Sequence, residues 1–352
     1  MAELSMSPPG AARPLLSIAI PTFERVEYLT ELLEALLPQV AREPRVELIV
    51  SDNASTDATP AMMHAFVARG LPVRYVRNPE NIGSDANFMQ CLDLARGTYA
   101  WVLGDDDLVQ PYAIRSLLSL LQQSTPDLVY LSSYGFSGSY QPRLVRDRLG
   151  RFAEVVTDGA YFLEKVNSLI GLISVVIINK DRLLDTPHPD IATLNESNLL
   201  QLGWIFPLLP RRCNVLYVWE RLVAYRTHNS GGWGVCEVFG VRLDTIARRY
   251  FAAQPALAHR LMNGVLRYWM PDAIIGIRRG QHARMPGEDV EHHLLPVHRA
   301  NWRYWVFVHP VAKLPLWAAR PLHFGLRLVN EITRAAQGLW RHMFRHGRYL
   351  RP

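Results

Sequence analysis

Between residues 15 and 121, apolar runs suited to buried strands alternate four times with helical patterns, and this alternation limits the possible folds more than any other feature of the chain. Leu15 to Ile20 is a β-rich run stopped by Pro21, and a helical pattern follows from Val26 to Val40. Val46 to Val50 is a second strand followed by a helix to Arg69; Val73 to Arg77 is a third, followed by a helix through Phe88, Cys91 and Leu94. Tyr99 to Leu103 is the fourth, and it ends at Gly104-Asp105-Asp106-Asp107. Strand–helix repetition of this kind predicts an α/β fold with a mostly parallel central sheet and helices on both faces. In such sheets ligands bind beyond the carboxyl ends of the strands.

Every unusual polar cluster of this half falls at one of those ends: Thr22 to Arg25, Asp52 to Asp57, Asn78 to Gly83, and Asp105 to Asp107. Taken singly, each is ordinary turn chemistry. Asp52-Asn53 and Asn78-Pro79 form turns, Thr56 or Asp57 suits a helix cap, and Gly83 suits a positive φ. Four together, on consecutive strands, point to one crevice. Three adjacent carboxylates repel one another, and a hard divalent cation that bridges to phosphate relieves that repulsion.

The ordered series Ile20-Pro21-Thr22-Phe23 with Arg25, Ser51 to Asp57, Asn81-Ile82-Gly83 and Gly104 to Asp107 resembles the inverting family-two glycosyltransferases of the GT-A fold. Within them it looks most like the abequosyltransferase type of bacterial surface polysaccharide (O-antigen) assembly. The resemblance runs from about Leu15 to Leu121 and fades beyond. It implies a GT-A, Rossmann-like catalytic domain and a hexosyl or deoxyhexosyl transferase that uses a nucleotide-sugar donor. UDP is the expected donor nucleotide, with CDP, dTDP or GDP as alternatives. The implied acceptor is a saccharide or a polyprenyl-diphosphate-linked oligosaccharide.

By the same resemblance Asp52 accepts a hydrogen bond from the base, while Pro21, Thr22, Phe23, Glu24 and Arg25 line the nucleotide pocket. Asn78, Asn81 and Gly83 lie near base and ribose, and Asn53, Ser55 and Asp85 complete the donor set. Asp105 to Asp107 hold ribose and a Mn²⁺ or Mg²⁺ ion that stabilises the departing diphosphate as a Lewis acid. Many relatives read Asp-x-Asp-Asp here, with Gly104 standing where the first of those aspartates would be. That register makes Asp105 the ribose contact and Asp106 the metal ligand; a plain Asp-x-Asp reading makes the ligand Asp107.

Inverting transfer needs a carboxylate to deprotonate the acceptor hydroxyl. Relatives place it in a Glu-Asp pair that this chain lacks. Glu196, in Asn195-Glu196-Ser197-Asn198, is the nearest candidate, with Asp190 behind it. The competing role for Glu196 is an acidic first-turn residue of a helix over Leu199 to Leu209. Asp127 to Ser133 and Leu169 to Asn179 read as further strands, and Ser137 to Arg151 as a polar loop. Ala224 to Trp233 resembles the segment that closes over the diphosphate, offering Arg226 to phosphate and His228 to the metal, with a plain surface loop as the alternative.

A sugar nucleotidyltransferase is the same-class rival, but it calls for a Gly-rich basic loop after the first strand, which Pro21 to Arg25 is not. A non-catalytic nucleotide-binding scaffold is the rival from another class, because the Glu-Asp pair is missing.

The expected organisation is a loose tail over 1–13, a catalytic domain over 14–235 (donor half 14–121, acceptor half 122–235), and a helical region over 236–352. That last region is strongly basic: from Arg299 to Arg351 ten cations face the single acid Glu331, a local +9 against +6 for the whole chain. Trp302, Trp305, Trp317, Phe324 and Trp340 are interleaved with those charges. The mixture suits an interfacial helix on an anionic leaflet, each charge adding about 1 kcal/mol near the surface. No nucleic-acid module is recognisable, and no apolar run approaches the roughly 20 residues needed to cross a bilayer. Three widely spaced cysteines and the lack of a signal-like N-terminus fit a reducing compartment. The expected location is therefore cytoplasmic, peripheral on the inner face of the cytoplasmic membrane.

Overall fold

The computed structural model describes residues 2–4, 12–142, 150–210, 212–227, 234–280, 288–344 and 348–352, with side chains described outside 2–4 and 334–348. Its strands are β1 (Ala2–Leu4), β2 (Leu16–Thr22), β3 (Val46–Asp52), β4 (Val73–Arg77), β5 (Tyr99–Val102), β6 (Leu108–Val109), β7 (Leu128–Phe136), β8 (Ala153–Asp158), β9 (Val176–Asn179), β10 (Arg212–Arg226) and β11 (Arg348–Leu350). All belong to one sheet in the order β1-β4-β3-β2-β5-β9-β7-β10-β8-β11, with β6 paired to β10. The block β4-β3-β2-β5 is parallel throughout. Its helices are α1 (Val26–Val40), α2 (Thr59–Ala68) and α3 (Ser84–Leu94), followed after β5 by α4 (Ala113–Ser124).

Every residue of β2 and β3 is buried, as a parallel sheet covered on both faces requires. The strand period of two divides their side chains between two cores. Ile18, Ile20, Leu48, Val50 and Trp101 pack with Leu29, Leu33 and Leu36 of α1, Met63 and Phe66 of α2, and Leu117 and Leu121 of α4. Ala19, Ile49, Ala100 and Val102 face the other way, onto Cys91 and Leu92 of α3. That second core continues through Phe206, Phe239, Leu261, Leu266, Ile274 and Tyr304. The helical region after residue 235 thus packs on the same face as α3. The three cysteines are buried and free.

The α/β fold class with helices on both faces stands, and four particulars differ from expectation. Parallel pairing is confined to β4-β3-β2-β5 and the β7–β10 pair, whereas β9 runs antiparallel to both its neighbours. The supposed strand over Leu169 to Asn179 is strand only in β9. Before it come two short helical turns, Asn167–Gly171 and Ile173–Val175, which lift the backbone off the sheet and set Ser174 against the end of β5. The helix over Leu199 to Leu209 shrinks to Leu202–Ile205 and a tight turn Phe206–Leu208, since Pro207 and Pro210 cannot extend it. Residues 2–4 are not loose: β1 adds to the open edge of β4. Arg13 likewise grips Asp181 with both Nη atoms, at 2.9 and 2.7 Å.

Candidate active site

The parallel block sets the site by register. Thr22 pairs with Asp52 and Asp52 with Arg77 across the ends of β2, β3 and β4. On the other side of β2, Leu103 donates its N–H to the carbonyl of Ala19, so the aspartate triplet leaves β5 beside the end of β2. Thr22 Oγ1 donates to Asp105 Oδ2 at 2.7 Å. Arg25 Nη1 donates to Asp105 Oδ1 at 3.1 Å and lies 3.4 Å from Asp106 Oδ2. The loops after β2, β3 and β5 therefore meet in one place.

Asp52 is wholly buried. Its Oδ1 accepts from the N–H of Ser55 at 2.8 Å, its Oδ2 accepts from the hydroxyl of Tyr75 at 2.5 Å, and Arg77 Nε lies 3.5 Å away. Glu24 accepts from the N–H and hydroxyl of Thr56 at 2.7 and 2.9 Å, and donates its own N–H to Ser55 Oγ at 3.0 Å. Asp57 accepts from the N–H of Val26 at the start of α1, which makes it a structural cap. Asn53 joins the next loop: its Nδ2 donates to Asn81 Oδ1 at 2.7 Å, and its Oδ1 accepts from Asn78 Nδ2 and the N–H of Ile82. Gly83 holds φ +86°, which its missing Cβ permits. Phe23 and Asn81 are exposed at the rim.

Electrostatics single out the triplet. Burial pushes Asp105 up to about 6, against the pull of Arg25. Burial, reinforced by Asp106, pushes Asp107 up to about 7. Asp107 Oδ1 accepts from the N–H of Arg226 at 3.1 Å, and its carboxylate is also hydrogen-bonded by Ser174. Asp106 is more solvent-accessible than Asp105, with 18% of its side chain exposed against 5%.

Gly104 tests the fit of a cation. A Cβ built there would meet Asp106 Oδ1 at 3.1 Å, Ser174 Oγ at 3.2 Å and Asp107 Oδ2 at 3.6 Å, so two carboxylates and a hydroxyl turn oxygens into the space that a side chain would fill. Hard divalent ions take such oxygens. No group of three or more His, Cys, Asp or Glu side chains among the described residues is arranged as a complete metal site. An ion here would take its remaining ligands from a phosphate and water, the usual habit of Mg²⁺.

The other expected residues fall less simply. Arg226 does reach the triplet, its Nε 3.3 Å from the carbonyl of Asp106. Its guanidinium is clamped between the rings of Tyr28 and Phe136 and pairs with Glu31, so a phosphate would have to compete with Glu31 for it. Asp85 opens α3 and is buried; its carboxyl faces the backbone amides of Glu196, Ser197 and Asn198 and, for lack of water, titrates above the ordinary range. Glu196 itself is exposed, holds φ +64°, and gives its carbonyl to Arg242 at 2.8 Å. It is not a first-turn helix residue. Asp190 caps the turn Ile191–Leu194 through the N–H of Ala192. His228 lies outside the described residues.

Ser174, Glu31, Tyr28 and Tyr75 belong to this site and were not singled out from the sequence. Ser174 carried one signal, a lone hydroxyl within the apolar stretch Leu172 to Ile178. Four of the six non-glycine residues at positive φ among those described, Glu24, Ala54, Glu196 and Asn198, lie in the loops just named. Strained backbone gathers at functional sites.

The family model for glycosyl transferase family 2 matches residues 17–171. The abequosyltransferase RfbV of Salmonella typhimurium is 39% identical over 108 residues, which are 30% of this chain and 32% of that protein. The glycosyltransferase GlyG of Streptococcus pneumoniae is 29% identical over 126 residues, 36% of this chain and 41% of its own length. The matched stretch thus spans less than half of either relative. Among solved structures, TarS 1–349 of S. aureus superposes with a TM-score of 0.55 at 17% identity over 91% of each chain. Its complex with UDP-GlcNAc gives 0.54 at 18% over 91% of this chain and 92% of that one. Residues 17–171 of this chain thus match glycosyl transferase family 2, on a GT-A architecture shared with TarS.

Proposed function

We propose that this protein transfers a sugar, with inversion, from a nucleotide-sugar donor to a saccharide acceptor during assembly of a bacterial surface polysaccharide, using Mn²⁺ or Mg²⁺. The observation that carries this reading is the meeting of the Asp52 loop and the Asp105–Asp107 triplet across Thr22. Support comes from relatives named as an abequosyltransferase and a putative teichuronic acid biosynthesis glycosyltransferase, and from TarS, whose fold this chain shares and which is known in complex with UDP-GlcNAc.

In this reading Asp52, braced by Tyr75 and Ser55 and wholly buried, recognises the base once neighbouring side chains such as Arg77 give way to it. The amide network of Asn53, Asn78 and Asn81 supports the nucleoside pocket, with Asp105 near the ribose. Asp106 is the first metal ligand, with Asp107 and Ser174 beside it. The cation, when bound with the donor, would offset the charge that grows on the departing diphosphate. Glu196 is the proposed base, because Asp85 holds its loop against the start of α3 in the donor half, whereas Asp190 serves its own turn.

Incubation of the purified chain with UDP-, CDP-, dTDP- and GDP-sugars and Mn²⁺ tests the reading. Metal-dependent release of a nucleoside diphosphate, raised by a saccharide or polyprenyl-diphosphate-linked acceptor, is expected. Release of pyrophosphate in a parallel incubation with nucleoside triphosphates and a sugar 1-phosphate would assign a nucleotidyltransferase instead, and nucleotide binding without turnover would assign a scaffold.

A further inference from the structure

The C-terminal helix Leu316–Phe344 is built the wrong way round for a helix facing water. Its inner face, Ala319, His323, Leu326 and Asn330, is fixed to the body: Asn330 Oδ1 accepts from Arg267 Nε at 2.8 Å, and His323 Nε2 sits 2.6 Å from Asp272 Oδ1. Beyond it, β11 pairs with β8, so the helix is tied to the fold at its far end too. The opposite face carries Trp317, Pro321, Phe324, Leu328 and Ile332, a stripe with steps of four, three, four and four residues. Trp317 is 80% exposed, Phe324 69%, Ile332 62% and Leu328 53%. An amphipathic helix on a soluble body reserves this outer face for polar side chains.

Exposed cations flank the stripe. Arg320 and Arg327 lie along one side of it, Arg327 at 3.8 Å from Asp272. The preceding segment adds exposed Trp302, Trp305 and Leu314, with exposed Arg299. From residue 299 to 351 the charge is +9. Among the described residues no helix is long and apolar enough to cross a membrane, so a spanning role does not account for this surface. Tryptophan and phenylalanine beside arginine match the region where acyl chains meet headgroups, and the excess positive charge selects an anionic surface.

We infer that the outer face of helix 316–344, together with Trp302 and Trp305, docks on an anionic lipid bilayer, with Trp317, Phe324 and Leu328 entering the headgroup boundary. The charge favours lipid over a second copy of the chain, since two such faces would bring like charges together. This inference does not depend on the transfer reaction, because docking is measured without donor or acceptor.

Flotation of the full chain tests it, with vesicles of phosphatidylcholine alone and with phosphatidylglycerol added to about a third of the lipid. Binding to the anionic vesicles only is expected, falling as salt rises. Trp317→Ser, Phe324→Ser and Leu328→Ser combined should lower partition by about tenfold or more, at an unchanged melting temperature, because these side chains leave water only on docking. Arg320→Glu with Arg327→Glu should remove the preference for anionic lipid. No flotation with anionic vesicles at low salt, or equal flotation of the triple variant, overturns the proposal. So does a dimer in solution that the triple variant converts to monomer while flotation stays as it was; that result would give the face to a second copy.

Discussion

Thr22 and Asp105 share a 2.7 Å hydrogen bond across the ends of β2 and β5, and through it the base-side loop and the acidic triplet become one site. Asp105 is buried, and besides Thr22 its anion is supported by Arg25 at 3.1 Å. Thr22→Val keeps the shape and removes the donor. A buried acceptor that loses a partner costs about 1–3 kcal/mol. Urea denaturation of the variant should show a loss in that range, with weakened nucleotide binding. A change confined to stability would make Thr22 a strut and not part of the donor site.

Asp106 and Asp107 divide the cation between them in a testable way. Both turn an oxygen toward the space beside Gly104, but Asp106 lies 3.4 Å from Arg25, whereas Asp107 accepts from the backbone of Arg226. Asp106→Ala should lower Mn²⁺-dependent affinity for a nucleoside diphosphate by tenfold or more, that is by about 1.4 kcal/mol at least. Asp107→Ala should also release the end of β10 and cost stability. Titration calorimetry with and without Mn²⁺ separates the two, and an unchanged affinity in Asp106→Ala moves the principal ligand to Asp107.

What could be read beforehand was whatever local pattern dictates. The near-continuous apolar runs of the strands and the helical period of 3.6 were legible from Leu15 to Leu121, because β2, β3 and β5 are buried on both faces and only Ser17 and Glu47 interrupt their apolar stretches. The polar loops were legible because each follows such a strand. The acceptor half was harder to read. The run from Leu169 to Ile178 has strand composition, yet tertiary demand bends it so that Ser174 can accept the N–H of Gly104 at 2.9 Å. Tyr75 was hidden for another reason. On a buried strand it reads as core, and only the fold shows that its hydroxyl donates to Asp52.

The triplet also predicts a pH dependence. Asp105 at about 6 and Asp107 at about 7 stand above the usual carboxylate value in the folded chain. The folded state therefore holds more protons than the unfolded state from about pH 4 upward. This contribution to stability is complete below the unfolded pKa and is lost as pH rises through 6 to 7. Asp107→Asn removes the larger part, so the stability difference between wild type and variant should shrink or reverse across that window. Mn²⁺ competes with the protons, and its stabilising effect should grow from pH 5 to pH 8. Thermal melts at four pH values with and without Mn²⁺ measure both trends; a Mn²⁺ effect independent of pH would remove Asp107 from the ion's surroundings.

The base assignment rests on Asp85 and Glu196, which approach each other from the two halves of the chain. A general base contributes about a hundredfold to ten-thousandfold. Glu196→Gln should therefore lower kcat by that order while donor affinity stays unchanged, and Asp190→Asn, a change in a turn cap, should leave kcat within about threefold. Asp85→Asn is the more informative variant. The amide cannot carry the charge that three backbone N–H groups of the 196–198 turn face, so the turn loosens and Glu196 loses its position without losing its carboxylate. Its kcat should fall, while the pH at which activity rises still reports a carboxylate; in Glu196→Gln that limb should vanish. If instead Asp190→Asn alone abolished turnover, the base would lie at the start of the Ile191–Leu194 turn, and the Asp85 contact would serve the architecture of α3 only.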